Sequence, residues 1–396
     1  MFSLFLGTAF LFFSSCSQGP ANRLQREELF SLEIGKMEDN LDLVEHYGVP
    51  YTEKSRIFMR NGFFYISNGN SSKVMEFNSY GDILSLFYSS ERNPAPIMLQ
   101  TENGADTISS RKAYAYPFRR VGEIAVTETG ILLVEERAQD YQIGFDEELG
   151  TSLNTIILRF SGNGEIQDFL GQEGVGGTPF PYVEKVFVTD GDGIAVISRG
   201  IDRWIAFLFE SNGSLIRRID FLPEELPLPE NGETYVNPSI KAVFPAYEGR
   251  ELYVISDYYS LADGKGSVNF SQSAVCIYDP DTETWSERVI LPSKKVGQDA
   301  NGFLEDNSFV TIYDALGVDS KGNFFFIAPE SEDSFELMTM GRDGSVKNRS
   351  TILLEDDEII YRDLYLSSEG IVTALLAYEY EAKVVWWRSD KILENR

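Results

Sequence analysis

The chain has 396 residues, 62 acidic against 34 basic side chains for a net charge of −28, one histidine and two cysteines. Such a surface repels phosphate backbones, which speaks against nucleic acid as a partner. One histidine rules out multi-histidine metal sites, and two cysteines rule out a disulfide framework and a disulfide-linked partner of the ordinary kind.

The chain opens on MFSLFLGTAFLFFSSCSQGP. Its apolar stretch, residues 2–13, is too short to cross ~30 Å of hydrocarbon as a helix, which takes about 20 residues. It has the length of a signal-peptide apolar region, and small residues precede Cys16. The expected organisation is a signal peptide over residues 1–15, a lipidated Cys16 with a tether through residue 27, and one domain over 28–396. An ordinary secretory signal and an internal hydrophobic strand remain the alternatives, and no Lys or Arg stands ahead of Arg23. Two or more acyl chains (palmitate or similar), at ~0.8 kcal/mol per buried CH₂, would hold the protein on a membrane. That expectation places it at the cell envelope, on the periplasmic face of the inner membrane or at the outer membrane.

ELFSLEIG follows, an alternating strand without a neighbouring partner in sequence, and then VEHYGVP, a connecting loop carrying His46. From residue 55 one pattern recurs: a short strand, a Gly-bearing turn, a second apolar strand, a gap, and two further strands split by a small polar turn. SRIFMRNGFFYISN with KVMEFNSYGDILSLF is its first instance, and TIILRFSGNGEIQDFL, RWIAFLFESNGSLIRRIDF, SAVCIYDPDTETWSERVIL and FELMTMGRDGSVKNRSTIL close the next four. Four short strands per unit is the sequence form of a propeller blade. Turns such as NSYGD and SGNGE supply the residues that tolerate positive φ, whereas DTET lacks glycine and predicts a different turn. Cys276 alternates with Val275 and Ile277, as a buried strand thiol would. A sixth unit, DLYLSSEGIVTALLAYEYEAKVVWWR, stops after three strands; ELFSLEIG is the expected fourth, with Leu29 to Ile34 closing the ring. Trp386 and Trp387 then point to opposite sheet faces as inter-blade packing. The fold class expected is all-β, a six-bladed β-propeller closed by an N-terminal strand that completes the last blade.

The stretch DFLGQEGVGGTPFPYVEKVFVTDGDGIAVISRGIDRWIAFLFESNGSLI resembles an NHL-type blade, matching at Gly171, Gly174, Gly176, Phe180, Pro181, Gly193, Arg203 and Gly213. FSSC resembles the relaxed lipobox of spirochaetal lipoproteins, in which the cysteine becomes the acylated first residue. Together these make the chain similar to spirochaetal lipoproteins carrying six-bladed NHL or TolB-like propellers. The resemblance supports the fold far more than any activity.

Motifs of catalysis are scarce. GQEGVGGTPF lacks the Lys-Ser/Thr of a P-loop and the GxGxxG spacing, and no GxSxG or HExxH occurs. DGDG at 190–193, DPDTE at 279–283 and EDDE at 355–358 offer oxygens to Ca²⁺, but each also reads as an ordinary polar turn or loop. No other cofactor is expected. With the strands of each blade labelled a to d from axis to rim, d–a and b–c connections share one face. The long connections (89–120, 171–183, 222–239 and 292–308 as d–a links, 138–153 and 258–273 as b–c links) all fall there. Long loops carry binding more often than short ones. The aromatics Tyr114, Tyr116, Phe118, Tyr182, Tyr258 and Tyr259 are the candidate ligand-binding residues on this face. The leading functional reading is a monomeric, lipid-anchored binding or scaffold propeller for a protein, peptide or glycan. The rival is a metal-dependent propeller hydrolase of lactonase or esterase type, with a divalent ion on carboxylate and amide oxygens at the axis.

Overall fold

The structure, a computed structural model, describes residues 22–43, 53–101, 111–231, 233–261, 267–298, 304–331, 333–354 and 358–394. Cys16 and His46 lie outside them. Six antiparallel sheets are arranged as the blades of a β-propeller. In blade 1 strands a to d are Ser55–Arg60, Phe63–Asn68, Lys73–Phe77 and Ile83–Tyr88. Blade 2 has Ile124–Val126, Leu132–Arg137, Thr155–Phe160 and Ile166–Gly171; blade 3 has Tyr182–Val188, Ile194–Arg199, Trp204–Phe209 and Leu215–Phe221. Blade 4 has Ser239–Pro245, Leu252–Leu261, Val268–Asp279 and Thr284–Ile290; blade 5 has Asp314–Val318, Phe324–Pro329, Ser334–Met340 and Val346–Leu353. Blade 6 takes Tyr361–Leu366, Val372–Ala377 and Glu381–Trp387 from the end of the chain, and Arg26–Glu33 from its beginning.

The middle strands are buried on both faces because neighbouring blades cover them: all six residues of Trp204–Phe209 are buried, as are all six of Val372–Ala377. That two-sided cover is why they read as continuous apolar runs. A register shift near the end of strand c recurs in blades 1 to 5, at Glu76/Phe77, Arg159/Phe160, Leu208/Phe209, Ile277/Tyr278 and Thr339/Met340. A bulge there bends and twists the outer hairpin, so the repeated sequence motif is a repeated piece of geometry. The DTET turn of blade 4 keeps the left-handed residue that glycine supplies elsewhere: Glu283 adopts φ 57°, while Asp279 Oδ1 accepts from Asp281 N and Thr282 N.

Closure follows the expected route. Arg26–Glu33 pairs antiparallel with Glu381–Trp387, from Arg26 opposite Trp387 to Glu33 opposite Glu381. Phe30 enters the core between blades 6 and 1, its ring 5.7 Å from Phe64 and 5.4 Å from Phe77. Trp387 is fully buried, and Trp386 packs on Phe64 and donates Nε1–H to Glu27 Oε2 at 3.0 Å. The strand begins at Arg26, ahead of the expected Leu29. Pairing starts earlier still: Asn22–Arg23 lies parallel to strand d of blade 5, and Leu24 is buried beside Phe335 and Ile352. Among the described residues no helix is long and apolar enough to cross a membrane.

Several expected loops turn out to be sheet. Lys112–Ala115 and Gln100–Thr101 extend blade 1 outward in parallel, and the b–c connection of blade 2 carries a hairpin, Gly144–Asp146 with Thr151–Leu153. In blade 4, strands Leu252–Leu261 and Val268–Asp279 run on past the blade, so Tyr258 and Tyr259 belong to a strand.

Candidate functional site

Strand a of each blade lines the axis, and each has at least one ionisable residue in its first half or directly before it, among them Arg56, Glu123, Lys185, Lys241, Asp314 and Asp363. Blades 1, 2, 3 and 6 pull theirs into one network. Glu123 is buried; it accepts from Arg56 Nε at 2.5 Å and lies 3.3 Å from Lys185 Nζ and 3.5 Å from Lys54 Nζ. Behind it, Glu135 of strand b accepts from Lys54 Nζ at 2.9 Å and from the Glu123 amide at 2.7 Å. Lys54 also donates to the Val183 carbonyl at 2.6 Å, so one side chain joins blades 1, 2 and 3. Asp363 accepts from Ile57 N at 2.8 Å, and the Tyr361 hydroxyl accepts from Arg56 Nη1 at 3.1 Å while donating to the Ser55 carbonyl, which sews blade 6 to blade 1.

Burial alone would push the Glu123 carboxyl up, but Lys185, Arg56 and Lys54 outweigh it and hold it at about 2. Glu135 goes the other way, because burial and the charge of Glu123 together exceed the help from Lys54. Gly122 lets these groups approach: a Cβ there would collide with the Glu135 carboxylate. The next residue, Glu136, sits on the opposite sheet face, where Oε1 accepts from Arg119 N at 2.8 Å and Arg120 N at 3.0 Å. Its Oε2 is buried without a partner, and burial pushes this carboxyl up to about 7.

A divalent ion at this end of the axis needs carboxylate oxygens that are not already neutralised. Here three cations, Lys54, Arg56 and Lys185, face three carboxylates, Glu123, Glu135 and Asp363, and balance their charge; Glu123 Oε2, buried without a hydrogen-bond partner, has the Lys185 ammonium 3.3 Å away. Among the described residues no three or more His, Cys, Asp or Glu side chains are grouped to hold a metal. This donor set does not fit Ca²⁺. Of the acidic turns, Asp192 in DGDG spends Oδ1 on the Glu128 amide and Oδ2 on the amide and hydroxyl of Thr129, locking blade 3 to blade 2. Asp279 caps its own turn, and residues 355–357 lie outside the described residues.

The six candidate aromatics do not converge. Tyr114 is buried on the rim, 5.0 Å from the Phe87 ring, and closes over Gly164 of the next blade. Tyr116 and Phe118 pack on Phe160 between blades 1 and 2, the first edge-on at 5.2 Å and the second tilted at 5.8 Å. Tyr258 is completely buried, its hydroxyl donating to the Pro227 carbonyl at 2.9 Å, and Tyr259 packs on Phe270. These are packing residues, and the buried hydroxyl of Tyr258 has its partner. Tyr182 alone reaches the axial site: it is 41% exposed and lies under Lys54 Nζ at 4.5 Å. The charged ring was missed because each member is one ionisable residue in or next to a short strand, among 62 acidic and 34 basic residues. The signal present was its recurrence in all six units.

Large exposed apolar side chains on the long-loop face lie elsewhere, Ile97 (77% exposed) in the 89–120 link and Tyr380 (78%) in the b–c turn of blade 6 among them. Tyr141 (86% exposed) and Phe145 (64%) belong to the hairpin connection of blade 2, and Ile201 (78%) to the b–c turn of blade 3. The hairpin is held firmly: Asp146 Oδ1 accepts from the amides of Glu148 and Leu149, Leu149 is buried, and Arg203 reaches Glu148 at 3.1 Å.

No family model matches the chain, and no curated protein matches it. Among solved structures it is similar to the polysaccharide lyase Uly1 (8% identity, 92% of this chain and 99% of that one, TM-score 0.44). It is also similar to the Dos1 propeller (10%, 92% and 94%, 0.38) and a luciferin-regenerating enzyme (7%, 84% and 90%, 0.37). Likeness this distant carries no argument about activity; the class, a six-bladed β-propeller, stands on the topology.

Proposed function

We propose that this propeller is a binding or scaffold module, held at the cell envelope by an acylated Cys16, that recognises a protein, peptide or glycan through its long-loop face. The observation that carries the reading is the fixed hairpin connection with Tyr141 and Phe145 turned to solvent and exposed Ile201 lying against its Gly150. Large apolar side chains on a rigid, polar-rimmed support are the anatomy of a binding patch. The charge-balanced axial network supports it from the other side, since a metal-dependent hydrolase would need those carboxylates free of cations. Capture from envelope extract compares the wild type with a Tyr141→Ser, Phe145→Ser, Ile201→Ser variant. The variant is expected to lose the ligand retained by the wild type. Equal retention contradicts the patch, and Ca²⁺-dependent turnover on lactone or ester panels would favour the hydrolase.

A further inference from the structure

At the opposite, short-turn end of the axis, the strand a residues enclose a cavity of about 80 Å³ with contributions from blades 1, 3, 4, 5 and 6. By volume it accommodates several water-sized groups. Its lining mixes apolar side chains, including Phe58, Val186, Leu316 and Leu364, with polar groups that include Tyr365, Tyr247 and Ser368. In a chain of net charge −28, the charged side chains lining it are two cations, Arg60 and Lys185, and no carboxylate. Lys185 is engaged from above by Glu123 at 3.3 Å. Arg60 Nη1 is buried and has no hydrogen-bond partner. Of the acids around it, Asp192 is committed to the amides of Glu128 and Thr129 and to the Thr129 hydroxyl, Glu128 accepts from the Tyr247 hydroxyl, and Glu369 accepts from the Ser368 hydroxyl at 3.1 Å.

We infer that this cavity is a binding site for a small monocarboxylate with a short hydrocarbon body. The carboxylate meets the free face of the Arg60 guanidinium, and the body lies against the apolar side chains. A buried guanidinium donor without an acceptor is costly, and a carboxylate matches its planar fork with two parallel hydrogen bonds. The walls select against a multiply charged anion, which would lose its hydration there without enough donors to replace it. This site is independent of the long-loop face, and its failure leaves that reading untouched.

The probe is butyrate, titrated into the full chain by calorimetry with sulfate and the neutral isostere butyramide in parallel. Saturable one-to-one binding of butyrate, at least tenfold weaker for butyramide and for sulfate, is the expected result. Arg60→Gln is expected to abolish it. Should that variant not fold, Ser368→Phe narrows the cavity, leaves Arg60 in place and is expected to weaken binding at least tenfold. Butyramide binding as well as butyrate, sulfate binding better, no butyrate binding at all, or retention in both variants each overturns the assignment.

Discussion

Glu123 and Glu136 stand on one blade and are driven in opposite directions, which makes them separable in a pH titration of stability. Glu123 has its carboxyl depressed from 4.5 to about 2, so its contribution is present above pH 4.5 and is lost as pH falls towards 2. Glu136 has its carboxyl raised from 4.5 to about 7. Its protonated form suits the folded state, so that contribution is full below pH 4.5 and is lost as pH rises through 7. Glu136→Gln is therefore expected to match the wild type near pH 4 and to exceed it by about 1–3 kcal/mol at pH 8. Urea unfolding at the two pH values reads this directly; a difference that does not change with pH would show that Glu136 does not titrate in this range. Neither glutamate could be singled out in a sequence with 62 acidic residues. What distinguishes them is depth, and depth is set by which blade packs on which.

The closing strand is the element on which the ring depends. Phe30 is the side chain that fastens it, set between Phe64 and Phe77 of blade 1 and so close to Gly81 that a Cβ there would meet it at 2.6 Å. Phe30→Ala is expected to cost about 3–5 kcal/mol, as for other buried aromatics, and to lower the urea midpoint in one cooperative step. An unchanged midpoint would mean that the C-terminal segment with helix Asp390–Glu394 holds blade 6 instead. This strand was legible because Phe30 and Leu32 alternate with exposed Ser31 and Glu33. Its beginning was not, because Arg26, Glu27 and Glu28 join through backbone pairing while their side chains stay half-buried or exposed. The same limit hid the strand character of Tyr258: Ser256 and Asp257 interrupt the apolar run, and their polar groups are buried by tertiary packing that local periodicity does not report. The blades, being repeated, could be counted; the additions to them, each occurring once, could not.

At the scale of the whole molecule, anchoring and recognition must share one geometry. Asn22–Arg23 is already pinned to the outer strand of blade 5, so the span from Cys16 to Asn22 reaches about 20 Å at most, at ~3.3–3.6 Å per residue. Because that pairing is parallel, the chain arrives from the end of blade 5 that bears the short c–d turn. We propose that the lipid lies on the short-turn side and the apolar hairpin faces away from the membrane. Cys16→Ser in the full precursor is expected to move the protein out of the detergent phase; unchanged partitioning contradicts the anchor.

The recognition face itself is tested most directly by a photo-crosslinking amino acid placed singly at Phe145 and at Ile216, irradiated in intact cells. Both positions are exposed, Phe145 on the long-loop face and Ile216 beside the c–d turn of blade 3. A discrete adduct is expected from position 145 and none from position 216. An adduct from 216 alone, or the same adducts from both, would contradict that recognition face.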